Sequence, residues 1–80
     1  MAADKYIHRT GVNSDNFVTM MNEAIAEFIK VYGIWPTTVH ANSLDVPSRL
    51  DGKTLTHENP SYSWTVSSSN EIPLGTMFVL

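Results

Sequence analysis

Three histidines, His8, His40 and His57, carry the side chains that most readily bind a metal ion or move a proton. A zinc site needs further ligands at close spacing on rigid elements, and the chain contains neither an HxH nor an HExxH spacing. It also contains no cysteine. The sequence therefore predicts no metal site and no cofactor. His40 is the histidine of greatest functional interest, and a cross-strand hydrogen bond is its expected role.

Serine and carboxylate residues give no catalytic pattern. The chain has no GxSxG elbow, and the run "SSS" at 67–69 is typical of a strand that ends in a turn. Glu23 and Glu27 lie one helical turn apart, where Lys30 can balance them on a solvated face. No glycine-rich phosphate loop of the GxGxxG or GxxxxGK type occurs. We therefore expect a protein that is not an enzyme.

The aromatic residues Trp35, Tyr62 and Trp64 carry more information. They could form a stacking platform for bases or sugars, although packing in the core is the ordinary role of such side chains. Five Lys and Arg residues are scattered along the chain, and the net charge is −3. Because no basic stripe is present to bind phosphates, we expect no direct nucleic-acid binding.

Length and composition favour one small domain over residues 1–80. A chain of this size buries only about 60% of the surface that it exposes when unfolded, so help from a partner subunit is expected and a homo-oligomer is predicted. No apolar run approaches the roughly 20 residues that span a bilayer, and the start "MAADKYIHRT" lacks the apolar segment of a signal peptide. These features predict a cytoplasmic protein without a membrane partner.

The strongest local pattern, "SDNFVTMMNEAIAEFIKVYG", predicts one amphipathic helix over residues 14–32. Asn13 or Ser14 can cap its first amides, and Gly33 can adopt the left-handed conformation that ends a helix. Its apolar half includes Met20 and Val31. That half is wide enough to pack on a sheet and still leave one flank for a second surface.

Three strands are predicted after the helix, at 37–41, 62–68 and 76–80, because apolar or β-branched residues alternate there or run together. Residues 42–52 predict a short helix, and 53–61 an exposed loop. Residues 1–13 form either a short edge strand at Tyr6 and Ile7 or a mobile segment. The expected fold is α+β: one long amphipathic helix on a small mixed or antiparallel sheet of three to four strands, with one short helix.

Residues 23–80 resemble a segment of the tailed-phage major capsid proteins of the HK97-like type, in the region of their axial domain. A helix ending in glycine precedes a proline-led strand, an asparagine-initiated short helix, and a strand leading to a Pro-x-Gly-Thr turn. The matching residues are Gly33, Pro36, Val39, Asn42, Leu50, Gly52, Val66, Ser67, Pro73, Gly75, Thr76 and Val79. The resemblance implies an α+β assembly module with no catalytic residues. The long N-terminal arm, spine helix and extended loop of that family have no counterpart here.

Two functions remain open. The first is a non-enzymatic phage-like structural or assembly protein, virion-associated or in the host cytoplasm, that self-associates through a helix flank and a sheet edge. The second is a phage-encoded inhibitor or ligand-binding protein that targets a host factor or a nucleotide signal through a pocket near the aromatic residues. A fragment of a longer protein is a third reading of the chain. The expected interaction surface comprises Trp35, His40, Tyr62, Trp64, Met20 and Val31.

Overall fold

The computed structural model describes residues 5–58 and 61–80. These residues form one α-helix and a five-stranded mixed sheet, which confirms the α+β class. The elements in chain order are β1 (Ile7–Thr10), α1 (Phe17–Tyr32), β2 (Thr38–Ala41), β3 (Thr54–Glu58), β4 (Ser61–Ser68) and β5 (Thr76–Val79).

The sheet has the strand order β1-β5-β2-β4-β3. β2 and β4 are parallel, whereas β1–β5, β2–β5 and β3–β4 are antiparallel pairs. β1 and β2 run in the same direction on either side of β5, since both are antiparallel to it. Helix α1 joins them, and the last strand of the chain is inserted between the two strands that the helix connects. The last strand of the chain is therefore internal to the sheet.

Helix α1 begins three residues later than its pattern predicts. The Asn13 side-chain oxygen accepts hydrogen bonds from the amides of Asp15 and Asn16, both at 2.9 Å, and holds a turn before the helix. The first helical bond then runs from the Met20 amide to the Asn16 carbonyl. The other end is as predicted: Gly33 has φ 74°, and its amide donates to the Ile29 carbonyl at 2.8 Å.

The core lies between one face of α1 and one face of the sheet. Alternate residues of each strand point to that face, because side chains along a strand alternate between its two sides. The backbone of α1 lies closest to β1 and β5, so the helix is offset toward one half of the sheet. The buried apolar residues include Phe17, Met21, Ala24, Ile25 and Phe28 from the helix and Val39, Ala41, Val66, Met77 and Val79 from the sheet.

Two predicted elements are wrong. Residues 42–52 form successive turns rather than a short helix, and most of the predicted loop 53–61 is the edge strand β3, with residues 59–60 outside the described residues. β3 forms because Leu55 pairs with Trp64 and the hydroxyls of Thr54 and Thr65 lie 3.3 Å apart across the two strands. The sheet therefore has five strands, where three to four were expected.

Residues 1–13 were expected to contain a short edge strand or to be mobile, and the described part of this segment contains the edge strand β1. β1 pairs with β5, and just before it the Tyr32 hydroxyl donates to the Tyr6 carbonyl at 3.0 Å and accepts from the Tyr6 amide at 3.3 Å. Arg9 also forms an ion pair with Glu27 on the helix. Residues 5–10 are thus joined to both layers of the fold, while residues 1–4 lie outside the described part of the chain.

Two connections cross at the end of the sheet where β2 and β4 finish. One leads from β2 past β4 to β3, and the other from β4 past β2 to β5. Two buried polar side chains join them: the Asn42 amide donates to the Ile72 carbonyl at 2.7 Å, and the Asp45 carboxylate accepts from the Gly75 amide at 2.7 Å. The buried polar groups of this crossing are therefore paired with backbone.

Candidate binding groove

A groove of about 340 Å³ lies beside α1 on the helix side of the sheet. It follows from the offset of the helix, because among the described residues the backbone of α1 lies close to β1 and β5 rather than to β3 and β4. No Lys, Arg, Asp or Glu is found among the described residues that line it. Its lining residues are Asn22, Ile25, Ala26, Ile29, Trp35, His57 and Trp64.

The groove has two walls, one formed by the helix and the other by the β3–β4 hairpin. Asn22, Ile25, Ala26 and Ile29 are spaced at i, i+3, i+4 and i+7, which puts them in a single stripe along α1. The opposite wall comes from the hairpin of β3 and β4. There, Leu55 is opposite Trp64 and His57 is opposite Tyr62, so all four side chains lie on the face toward the helix.

Trp35 covers one end of the aromatic cluster. Its ring centroid lies 4.6 Å from that of Tyr62 and 5.3 Å from that of His57, and Tyr62 in turn lies 6.4 Å from Trp64. Trp35 belongs to the connection between α1 and β2, just after the left-handed turn at Gly33. The connection after the helix therefore places Trp35 over the β3–β4 hairpin, and Trp64 belongs to that hairpin. Such aromatic contacts contribute about 0.5–1.5 kcal/mol each beyond buried area.

Two polar atoms of this cluster are buried without a hydrogen-bond partner among the described residues: the Trp64 Nε1 and the Tyr62 hydroxyl. Trp64 is only 8% exposed. Burial raises the pKa of Tyr62, so its phenol stays protonated and remains a donor. Leaving such a group unpaired costs about 1–3 kcal/mol. The cluster therefore holds two donor groups whose hydrogen-bonding capacity the described fold does not use.

The structure brings together three of the six residues expected at an interaction surface, Trp35, Tyr62 and Trp64. Met20 is half-buried against the core, and Val31 is 57% exposed on the helix. His40 lies on the opposite side of the sheet from the aromatic cluster, because the neighbouring Val39 and Ala41 face the helix.

Sequence reasoning missed the groove residues of the helix and also His57, whose segment was expected to be a loop. The alternation in "TLTHE" was the available signal: Leu55 and His57 share one side of the strand, and Thr54 and Thr56 share the other.

The sheet face away from the helix has a different character. The His8 ring stacks on Phe78 with a centroid distance of 4.8 Å and an interplanar angle of 10°, and His40 pairs with Phe78 from the other side. The rest of this open face carries hydroxyl groups, and Glu58 at one corner is its only charge among the described strand residues. Its members include His8, Thr38, His40, Thr54, Thr56, Glu58, Ser63, Thr65, Ser67 and Phe78.

Within residues 5–58 and 61–80, no cluster of three or more His, Asp or Glu side chains is arranged to hold a metal ion. His8 and His40 lie on the open face, whereas His57 lies on the helix side. In the same residues, no helix is long and apolar enough to cross a membrane.

Comparison of the chain with protein families, curated proteins and solved structures finds no significant match.

Proposed function

We propose that this protein is a binding module without catalytic activity, and that the groove between α1 and the β3–β4 hairpin is its ligand site. The observation that carries the proposal is the aromatic-walled groove itself: its described lining has no charged side chain, and it lies beside buried donors that have no partner in residues 5–58 and 61–80. Small-molecule sites are typically concave, mostly apolar and furnished with a few polar groups, with volumes from about 300 to 1,000 Å³. The groove lies at the lower end of that range.

The chemistry of the lining limits what kind of ligand fits. A phosphate is normally bound by Lys, Arg or a set of backbone amides at a helix start, and the part of the groove lining that the structure describes has no Lys or Arg. A nucleotide signal is therefore a poorer occupant than a neutral molecule or a neutral side chain of a protein partner. This argument narrows the ligand-binding alternative that the sequence left open.

A groove-filling variant tests the proposal. Ala26 lines the groove from the solvent side of the helix, so Ala26→Trp should occupy the space without disturbing the core. In a thermal-shift screen of neutral aromatic compounds, a ligand that binds the folded state should raise the melting temperature of the wild type. The exposed helix position Thr19 lies outside the groove lining, so Thr19→Trp should respond like the wild type. Ala26→Trp should not respond. Equal responses in both variants would contradict the proposal.

Self-association as a phage-type assembly protein is the second candidate. It is supported by apolar side chains exposed on α1, Val18 at 38% and Val31 at 57%, and by an open sheet face almost without charge. The resemblance of residues 23–80 to capsid proteins agrees with it. A location in the host cytoplasm or in a virion belongs to this candidate.

Sedimentation velocity at micromolar concentration separates the two candidates. A stable interface of more than about 1,000 Å² should give a defined oligomer, which Val31→Glu should dissociate if the helix flank forms the contact. A monomer at every concentration tested would leave the groove as the only candidate site.

A further inference from the structure

We propose that two copies of this chain pack their open sheet faces against each other, which gives a dimer with one helix on each outer side. The occupant of the open face is therefore a second copy of the chain. The inference goes beyond the binding groove, which lies on the helix side of the sheet and stays accessible in such a dimer. It also assigns self-association to the sheet rather than to the exposed helix side chains Val18 and Val31.

The first step of the argument is that the described residues leave this face uncovered. Thr38 and Thr65, on internal strands, are partly exposed on the open face. Their chain neighbours Val39 and Val66 face the helix and are fully buried. The open face has side chains from all five strands. In the part of the chain that the structure describes, the fold thus has two layers, and one side of its sheet lacks a covering layer.

The area of this side is close to what a stable dimer needs. The molecule measures 30 × 26 × 22 Å and has 4916 Å² of accessible surface. One side of a body with such similar dimensions carries about a sixth of its surface, here about 800 Å², and a standard interface buries about 800 Å² on each partner. Two open faces in contact would therefore bury about 1,600 Å² in total.

The charge of the open face favours an identical partner. Charged residues are depleted at the centre of interfaces, and Glu58 is the one charged residue that the described strands place on this face. Glu58 ends the edge strand β3, so two copies can meet without carboxylates near the centre of the contact. A nucleic acid or a strongly acidic protein would meet no positive charge on the described strands of this face.

An aromatic cluster gives the face an apolar anchor. Phe78 lies on the internal strand β5 and is partly exposed, with the His8 ring stacked on it at 4.8 Å and the Tyr6 ring centroid 6.3 Å away. Tyr6 itself is 48% exposed. Tyrosine and phenylalanine are enriched at interfaces, where a few large side chains carry most of the binding energy. We therefore expect this cluster to be at the contact.

Hydroxyl groups on the other half of the face already pair with each other. The side-chain oxygens of Thr54 and Thr65 lie 3.3 Å apart, and those of Thr56 and Ser63 lie 3.1 Å apart. A polar group that keeps a hydrogen bond is removed from water at a lower cost than an unpaired one. The threonine methyl groups of this half can then pack against the sheet of the second copy.

Sedimentation velocity over a dilution series tests the inference on the full chain, and the wild type should sediment as a dimer. His40→Glu puts a carboxylate on the central strand of the face and should raise the dimer dissociation constant at least about tenfold, because two like charges enter the contact. Ser63→Glu makes the same test at an exposed position if His40→Glu fails to fold. Thr19→Glu adds the same charge on the exposed side of the helix and should leave the dissociation constant unchanged.

Isotope-filtered NMR on a mixture of ¹³C-labelled and unlabelled wild type locates the contact without any variant. Intermolecular NOEs should arise from the ring protons of Tyr6 and Phe78. A monomer at every concentration up to the solubility limit, intermolecular NOEs from Val31 instead, or a wild-type dissociation constant in a folded open-face variant would each overturn the inference. None of these results bears on the groove, which the thermal-shift screen with neutral aromatic compounds such as quinoline tests separately.

Discussion

Two tyrosines of this chain use their hydroxyl groups in opposite ways. The Tyr32 hydroxyl donates to one backbone atom of Tyr6 and accepts from another, whereas the Tyr62 hydroxyl is buried with no partner among the described residues. The free-energy cost of removing a hydroxyl depends on whether its hydrogen bonds exist in the folded state. The same chemical change should therefore have different effects at the two positions.

We expect Tyr62→Phe to leave the free energy of unfolding unchanged or to raise it by up to about 1 kcal/mol, because it removes an unpaired buried group. The matched control Tyr32→Phe should lower that free energy by about 1 kcal/mol, since it removes two hydrogen bonds to Tyr6. Urea denaturation of both variants measures the difference. Equal losses would mean that Tyr62 has a partner in solution.

The raised pKa of Tyr62 predicts a loss of stability at alkaline pH. Burial disfavours the phenolate in the folded state, so at high pH the unfolded state releases the proton before the folded state does. The contribution is fully present below the ordinary pKa of a tyrosine, and the free energy of unfolding should fall as the pH rises from there through the raised value. In Tyr62→Phe this part of the decrease should be absent. A pH dependence identical to that of the wild type would contradict the assignment.

At the scale of elements, the crossing of two connections depends on buried side-chain hydrogen bonds. Asn42 and Asp45 are each 7% exposed, and they bond to the backbone of Ile72 and Gly75 in the other connection. The Asn42 oxygen also accepts from the Leu44 amide at 2.9 Å, which holds a turn where a helix was expected. These contacts link segments thirty positions apart in the chain.

We expect Asp45→Ala to lower the free energy of unfolding by about 1–3 kcal/mol, because it leaves the Gly75 amide without its partner. Asp51 gives the comparison: it is exposed and accepts from the Ser68 hydroxyl at 2.8 Å, so Asp51→Ala should cost no more than about 0.5 kcal/mol. Thermal and urea unfolding of the two variants measure this contrast. A loss as small for Asp45→Ala as for Asp51→Ala would show that the crossing does not depend on the carboxylate.

Elements with a local cause could be predicted from the sequence. The helix has a continuous apolar stripe and ends at a glycine, and β2, β4 and β5 alternate or run apolar, so their residues alone specify them. β3 was missed because all its residues except Leu55 are polar and they acquire a strand partner only when β4 lies beside them. The turns of 42–52 look helical locally, and the hydrogen bonds that determine them reach residues far along the chain.

At the scale of the whole molecule, the groove follows from topology rather than from any one segment. The insertion of β5 between β1 and β2 puts the helix over one half of the sheet and leaves the other half to aromatic side chains. The sequence indicated Trp35, Tyr62 and Trp64 as residues that could act together. It could not indicate the groove, because the groove depends on the strand order, and the signal for His57 was only the alternation within β3.

The indole region of the ¹H–¹⁵N spectrum gives the most direct test of the binding groove, because the chain contains only two tryptophans. Trp35→Phe assigns the two indole signals, and quinoline is then titrated into the wild type. The groove assignment predicts that the Trp64 indole signal and the Asn22 side-chain amide signals shift together and reach saturation, with no such shift in Ala26→Trp. Signals of Trp64 and Asn22 that stay in place up to the solubility limit of the probe would contradict it.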